Sequence, residues 1–188
     1  MGKFKKTETP IEGLYIIEPT VFGDDRGFFM ESYNQRGFAE IGLDMDFVQD
    51  NHSKSKKGTL RGLHLQEEHP QGKLVRVING KVYDVAVDLR PGSETYGQYY
   101  SIILSDTNQK MFYIPEGFAH GFLALSAEAE FMYKTTDYYC PDCEAGVIWN
   151  DKDINVNWPL KEYGFTEENL LLSEKDKELP TLKEYDNK

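Results

Sequence analysis

Histidine has an ordinary side-chain pKa of about 6.5, near neutrality, which suits it to proton transfer or metal ligation. The sequence holds four, so their neighbours matter. His64 sits in Leu60-Arg61-Gly62-Leu63-His64-Leu65-Gln66. Side chains alternate along a strand, so Gly62, His64 and Gln66 share one face, and Leu63 and Leu65 take the other. A polar face backed by leucines suits the ligand-lined inside of a barrel; the plainer alternative is a surface histidine. Arg61 falls on the leucine side and reaches the same interior only if a bulge or the strand's end turns it. His120 lies in Pro115-Glu116-Gly117-Phe118-Ala119-His120-Gly121-Phe122. Taken singly, Lys73 at the start of a strand and Asp176 in a charged tail read as solvated groups. Tyr133 and Tyr139 share one face of a later strand, which equally suits an aromatic core stripe.

The elements that must hold these residues are strands. Runs rich in Val, Ile, Tyr and Phe recur between Gly, Pro, Asn and Asp turns. The expected strands are Arg26–Tyr33, Thr59–Gln66, Lys73–Ile78, Lys81–Leu89, Tyr99–Leu104, Lys110–Ile114, Gly121–Leu125 and Glu130–Tyr138. Asn79-Gly80 between the third and fourth is a strong hairpin signal. Helical periodicity is confined to Arg36–Ile41 and the tail from Ser173. Closely spaced strands point to an antiparallel sandwich or barrel, jelly rolls included, in one domain over residues 1–188.

The whole chain narrows the function classes. At 188 residues, with 39% hydrophobic and 13% aromatic content, it can bury a core without disulfides. No apolar run approaches the ~20 residues of a membrane helix. The basic start runs into Thr7-Glu8-Thr9-Pro10 without the apolar stretch of a secretory signal, so a cytoplasmic protein is expected. A formal charge of −11 argues against nucleic-acid and anionic-membrane partners, though not against a phosphate held by a local Arg and Lys cluster. Cys140 and Cys143 lack the βαβ context of a thioredoxin site and further ligands for zinc, and are expected as reduced loop cysteines.

Pro-x-Gly-x-x-His around His120 resembles the second motif of cupins, small jelly-roll barrels. Their first motif carries His-x-His, where this chain has His64-Leu65-Gln66. A carboxamide in place of an imidazole removes a strong ligand, so the resemblance implies a barrel without metal or cofactor. A finer match runs in order from about residue 10 to 185. It comprises Asp25-Arg26-Gly27-Phe28-Phe29-Met30-Glu31, Gln49-Asp50-Asn51-His52-Ser53, Arg61–Gln66, Gln71–Val77, Tyr83–Arg90, Pro115–Phe122, Tyr133-Lys134, Trp149-Asn150-Asp151 and Leu172–Asp176. This set resembles the dTDP-4-dehydrorhamnose 3,5-epimerase family.

The resemblance implies an all-β, cupin-like jelly-roll barrel with a few short peripheral helices. It also implies epimerisation of a dTDP-linked 4-keto-6-deoxy sugar at the carbons beside its ketone. By resemblance His64 is the base, Tyr133 the acid on the opposite ring face, Lys73 the group that stabilises the enolate, and Asp176 the carboxylate that pairs with His64. Arg26, Gln49, Asn51, Arg61 and Lys175 become binding candidates for the diphosphate and sugar, with Glu31, His120 and Glu144 beside them. Tyr139 is placed to stack on the base. A homodimer is implied, its N-terminal segment packed on the partner so that Arg26 serves the neighbouring site. The competing readings are a mono-epimerase or ketoisomerase, a metal-dependent cupin dioxygenase, and a non-catalytic sugar-nucleotide binder.

Overall fold

Recurrent β-branched and aromatic residues carry most of the chain into strands. The computed structural model describes residues 3–187. Its strands are β1 (Phe4–Glu8), β2 (Tyr15–Pro19), β3 (Val21–Asp24), β4 (Gly27–Met30), β5 (Gln49–Lys56), β6 (Leu60–Gln66), β7 (Lys73–Asn79), β8 (Lys81–Asp88), β9 (Tyr99–Ser105), β10 (Met111–Ile114), β11 (Phe118–Ala124), β12 (Glu128–Thr135) and β13 (Glu144–Gly146). The helices are short: α1 (Gln35–Glu40), α2 (Leu160–Tyr163), α3 (Glu174–Lys177) and α4 (Leu182–Asp186).

Two antiparallel sheets make the body. One has six strands in the order β1-β2-β10-β7-β12-β5, and the other five in the order β13-β6-β11-β8-β9. Residues from both sheets, among them Val75, Phe112, Phe131, Ala86, Leu104 and Phe122, form a common buried cluster, so the sheets lie face to face. This is the antiparallel all-β architecture that the strand spacing suggests and the cupin-like class that the resemblance implies.

The outer face of the five-stranded sheet is covered by the C-terminal segment. Leu63 and Leu65 of β6 point outward there and pack with Val147, Trp149, Trp158 and Leu170, as the alternation around His64 requires. Val147 and Leu63 exchange backbone bonds of 3.0 and 3.3 Å, and Leu171 is tied to Gly58 and Leu60 at 2.9 and 3.1 Å. These ties run the segment back along β6 and bring α3 beside His64.

Several expectations need correction. Asn79-Gly80 does not close a hairpin: β7 pairs with β10 and β12, whereas β8 pairs with β9 and β11. The chain changes sheets at this corner. Gly80, at φ 82°, donates to Asp106 Oδ2 at 2.7 Å, and Lys81 N–H donates to Ser126 Oγ at 2.8 Å. The strand expected over Arg26–Tyr33 is only Gly27–Met30, because Glu31 turns aside to Lys3 and Asn34, and Asn34 caps α1. Strand β12 ends at Thr135, so Tyr139 lies beyond it rather than on one stripe with Tyr133.

The cysteines are not reduced: Cys140 and Cys143 form a disulfide with Cα atoms 5.3 Å apart. Residues Pro141–Cys143 make a turn of 3-10 helix, in which positions three apart fall one above the other. Strand β5 was not expected because its sequence, QDNHSKSK, is polar; it is a sheet edge with alternate residues in water.

Candidate active site

The site begins with a β-bulge. Along the β6–β11 pair His64 faces His120, yet Arg61 faces Phe122, so β6 holds one residue more than its partner. The extra residue is accommodated at Gly62, whose φ is 108° and where a Cβ would lie 2.5 Å from the His120 carbonyl oxygen. The bulge turns Arg61 towards the interior while His64 keeps its inward direction. Both line a cavity of about 480 Å³ between the sheets, together with Lys73, His120, Tyr133 and Asp176.

Asp176 is the third residue of α3, whose Ser173-Glu174-Lys175-Asp176 start forms a capping box. One carboxylate oxygen, Oδ2, accepts from Ser173 Oγ at 2.6 Å. The other, Oδ1, accepts from Gly62 N–H at 3.2 Å and lies 2.8 Å from His64 Nε2. That last approach is close but lacks hydrogen-bond directionality. Burial works to raise the Asp176 pKa, but His64, Ser173 and Gly62 outweigh it and hold the carboxyl at about 2. Nε2 is buried, which leaves Nδ1, 3.8 Å from Glu144 Oε1, as the ring nitrogen turned from Asp176.

The opposite wall belongs to the six-stranded sheet. Tyr133 comes from β12, and Lys73 from the adjoining β7. Burial raises the Tyr133 pKa against the opposing charge of Arg61, so the phenol stays protonated near neutrality. Lys73 reaches across to within 3.4 Å of the His64 carbonyl oxygen. Part of its side chain meets the cavity, but protein surrounds the ammonium, and burial takes its pKa down to about 8 despite Glu144 and Asp84. A base and its carboxylate therefore stand on one wall, an acid on the other, and a cation near both.

His120 and Asp84 make a second buried pair, with Nε2 3.0 and 3.1 Å from the two carboxylate oxygens. Burial raises the Asp84 pKa, and His120 and then Lys73 oppose the rise. Asp84 was not among the expected site residues. Its signal is alternation: on β8 it shares the inward face of Val82 and Ala86, an apolar interior that a carboxylate enters only with partners.

The remaining candidates divide. Tyr139 and Glu144 line the cavity mouth, joined by a 2.9 Å bond from the phenol to Glu144 Oε2, and Lys175 meets that same oxygen at 2.6 Å. Gln49 acts at one remove, donating to Asn51 Oδ1 and accepting from Tyr139 N–H at 3.1 Å. Neither Arg26 nor Glu31 reaches this cavity. Arg26 sits at the tip of the β3–β4 hairpin, its side chain 90% exposed and paired with Asp24, and Glu31 pairs with Lys3 and Asn34. Gln66 lines the cavity yet uses its amide on loop backbone, at His69, Tyr138 and Cys140. Among the described residues no three His, Cys, Asp or Glu side chains are grouped to hold a metal ion.

The model of the family described as dTDP-4-dehydrorhamnose 3,5-epimerase matches residues 8–184. The chain belongs to this family. A dTDP-4-dehydrorhamnose 3,5-epimerase of Methanothermobacter thermautotrophicus is 52% identical over 184 residues, covering 98% of this chain and 97% of that protein. The crystal structure of a dTDP-6-deoxy-D-glucose-3,5-epimerase from Legionella pneumophila, in complex with dTDP-4-keto-L-rhamnose, is 48% identical with a TM-score of 0.90, covering 96% of this chain and 93% of that one. A 3'-monoepimerase from Streptomyces bikiniensis, solved with dTDP-quinovose, is 30% identical with a TM-score of 0.86, covering 95% and 88%. Epimerase chemistry fits the two-walled arrangement, because inversion needs proton transfer on both faces of one ring. Among the described residues no helix is long and apolar enough to cross a membrane.

Proposed function

We propose that the cavity inverts C3 and C5 of dTDP-4-dehydro-6-deoxy-D-glucose, giving dTDP-4-dehydro-L-rhamnose for dTDP-rhamnose synthesis. The C4 ketone acidifies the hydrogen on each neighbouring carbon. His64, through Nδ1, takes that proton, and Asp176 stabilises the imidazolium that forms. The electron pair moves into a C–C double bond and onto the C4 oxygen, where the Lys73 ammonium meets the negative charge. Tyr133 then delivers its proton to the opposite face. Imidazolium and phenolate reset through solvent before the second carbon is treated. The observation that carries this reading is the placement of His64 and Tyr133 on facing sheets. Identity of 52% to a 3,5-epimerase, against 30% to a 3'-monoepimerase, favours inversion at both carbons.

The binding roles follow from charge. Arg61 and Lys175 take the diphosphate, His120 and Glu144 the sugar nucleotide, and Tyr139 stacks on the base. The reaction uses no metal, so protein dialysed against a strong chelator keeps its activity; loss restored by one added metal contradicts this. We also infer a homodimer in the cytoplasm. Phe22, Phe28 and Phe29 of the β3–β4 hairpin are each about 60% exposed or more, an apolar patch that a second copy would cover while bringing Arg26 to the neighbouring cavity. Light scattering showing a monomer, or fractionation with membranes, argues against these assignments.

The test of the acid and base roles is Tyr133→Phe in deuterated water. His64 remains, so the variant exchanges hydrogen on the base's face while yielding little epimer. Equal loss of exchange and inversion would reduce Tyr133 to a wall of the pocket.

A further inference from the structure

We propose that Cys140 and Cys143 form a redox-modifiable site whose disulfide sets the affinity of the cavity mouth for the nucleotide sugar. The inference rests on the assignment of Tyr139 and Glu144 to nucleotide binding. Those two residues flank the bridged span directly, one on each side, and they touch across it through the Tyr139 phenol and Glu144 Oε2 at 2.9 Å. The bridge therefore ties the Tyr139 side of that contact to Glu144, which the pairing of β13 with β6 holds in place. Its effect passes further along Glu144, which holds Lys175 at 2.6 Å.

The span is otherwise held by few bonds. Cys140 N–H donates to Gln66 Oε1 at 3.0 Å, and the Cys143 carbonyl accepts from Glu67 N–H at 3.0 Å. Pro141 and Asp142 between them are exposed, and Tyr139 is 55% exposed, so little packing would replace a lost covalent link. Both cysteines are partly exposed, which opens the bridge to exchange. Reduction breaks the S–S bond and forms two thiols, taking two electrons and two protons from a dithiol that closes to its own disulfide. His64, Lys73, Tyr133 and Asp176 stand on β6, β7, β12 and α3, outside the span. Reduction should therefore act mainly on binding, and reach the proton transfers only through Glu144, 3.8 Å from His64 Nδ1.

The experiment compares oxidised and dithiothreitol-reduced full-length protein with dTDP-4-dehydro-6-deoxy-D-glucose as substrate. Redox state is verified by the mass of tryptic peptide 135–152, which contains both cysteines. Expected is a peptide two hydrogens lighter after oxidation, and a KM that rises about three- to tenfold on reduction, somewhat below the full chain-entropy value of closing so short a loop. The change in kcat is small, and re-oxidation restores KM. A Cys140→Ser, Cys143→Ser variant sits at the reduced value and ignores the reductant. Equal KM in both verified states, failure of the bridge to form under oxidant, or a variant that still responds would each overturn the proposal. Glu144→Gln separates the sources of failure. If it raises KM while redox state does not, the redox site falls and the binding reading stands. If neither alters KM, the binding role of Glu144 has failed and the redox site with it.

Discussion

Replacing Asp176 by Asn keeps the side chain's shape and one oxygen for the Ser173 cap, but removes the charge 2.8 Å from His64 Nε2. The carboxyl is held at about 2 instead of 3.8 by His64, Ser173 and Gly62 acting together against burial. Coupling is reciprocal, so whatever imidazolium does for the carboxylate, the carboxylate does for imidazolium. An opposite charge this close typically stabilises a charged group by about 1.4–2.7 kcal/mol. Proton abstraction creates that imidazolium, so Asp176→Asn should slow turnover about 10- to 100-fold. The acid limb of the pH–rate profile should also move to lower pH. The assay is kcat and kcat/KM across pH, with dTDP affinity measured by calorimetry on the same protein. A near-normal rate with an unshifted limb, or a rate loss matched by lost dTDP affinity, would refute the dyad.

The other perturbations follow from charge and burial. Because Lys73 is held at about 8 and acts as a cation, the rate should fall as pH rises through that value, and Lys73→Arg should move the alkaline limb upward while Lys73→Ala loses about 10²–10³-fold. Asp84 supports the charge on Lys73, so Asp84→Asn should shift the same limb to lower pH, and an unmoved limb would confine Asp84 to packing. Asp88 lies outside the cavity; burial acts to raise its pKa, but Arg90, Ser93 and Thr95 hold it at about 2. Its stabilising effect is complete above the ordinary value of 3.8 and is lost as pH falls through about 2. Asp88→Asn should thus lower stability by about 2 kcal/mol at pH 7, or about 4–8 °C in Tm, with the deficit shrinking on acidification and kcat unchanged.

The parts of this site that are legible in the sequence are the local ones. Alternation around His64 reports which face meets the cavity, and the same count requires a bulge or the strand's end if Arg61 is to reach it; the β6–β11 register shows the bulge. Ser173-Glu174-Lys175-Asp176 carries a capping pattern, but no local signal says that Gly62 and His64, more than a hundred residues earlier, wait beside it. That proximity depends on Val147, Trp149, Trp158 and Leu171 running back along β6, a tertiary fact. Asn79-Gly80 misleads because the same turn residues serve a hairpin and a corner between sheets, and only the bonds to Asp106 and Ser126 decide. The disulfide is hidden for a like reason: a three-residue spacing fits a loop or a 3-10 turn equally well.

The central claim is that a single pair of facing walls deprotonates and reprotonates both carbons beside the ketone. Incubating the wild-type protein with dTDP-4-dehydro-6-deoxy-D-glucose in deuterated water, and following C3 and C5 by NMR, tests it most directly. Deuterium should enter both positions, with inverted configuration at each in the product. Exchange at one carbon alone would contradict the double epimerisation, and tight binding without exchange would contradict catalysis altogether.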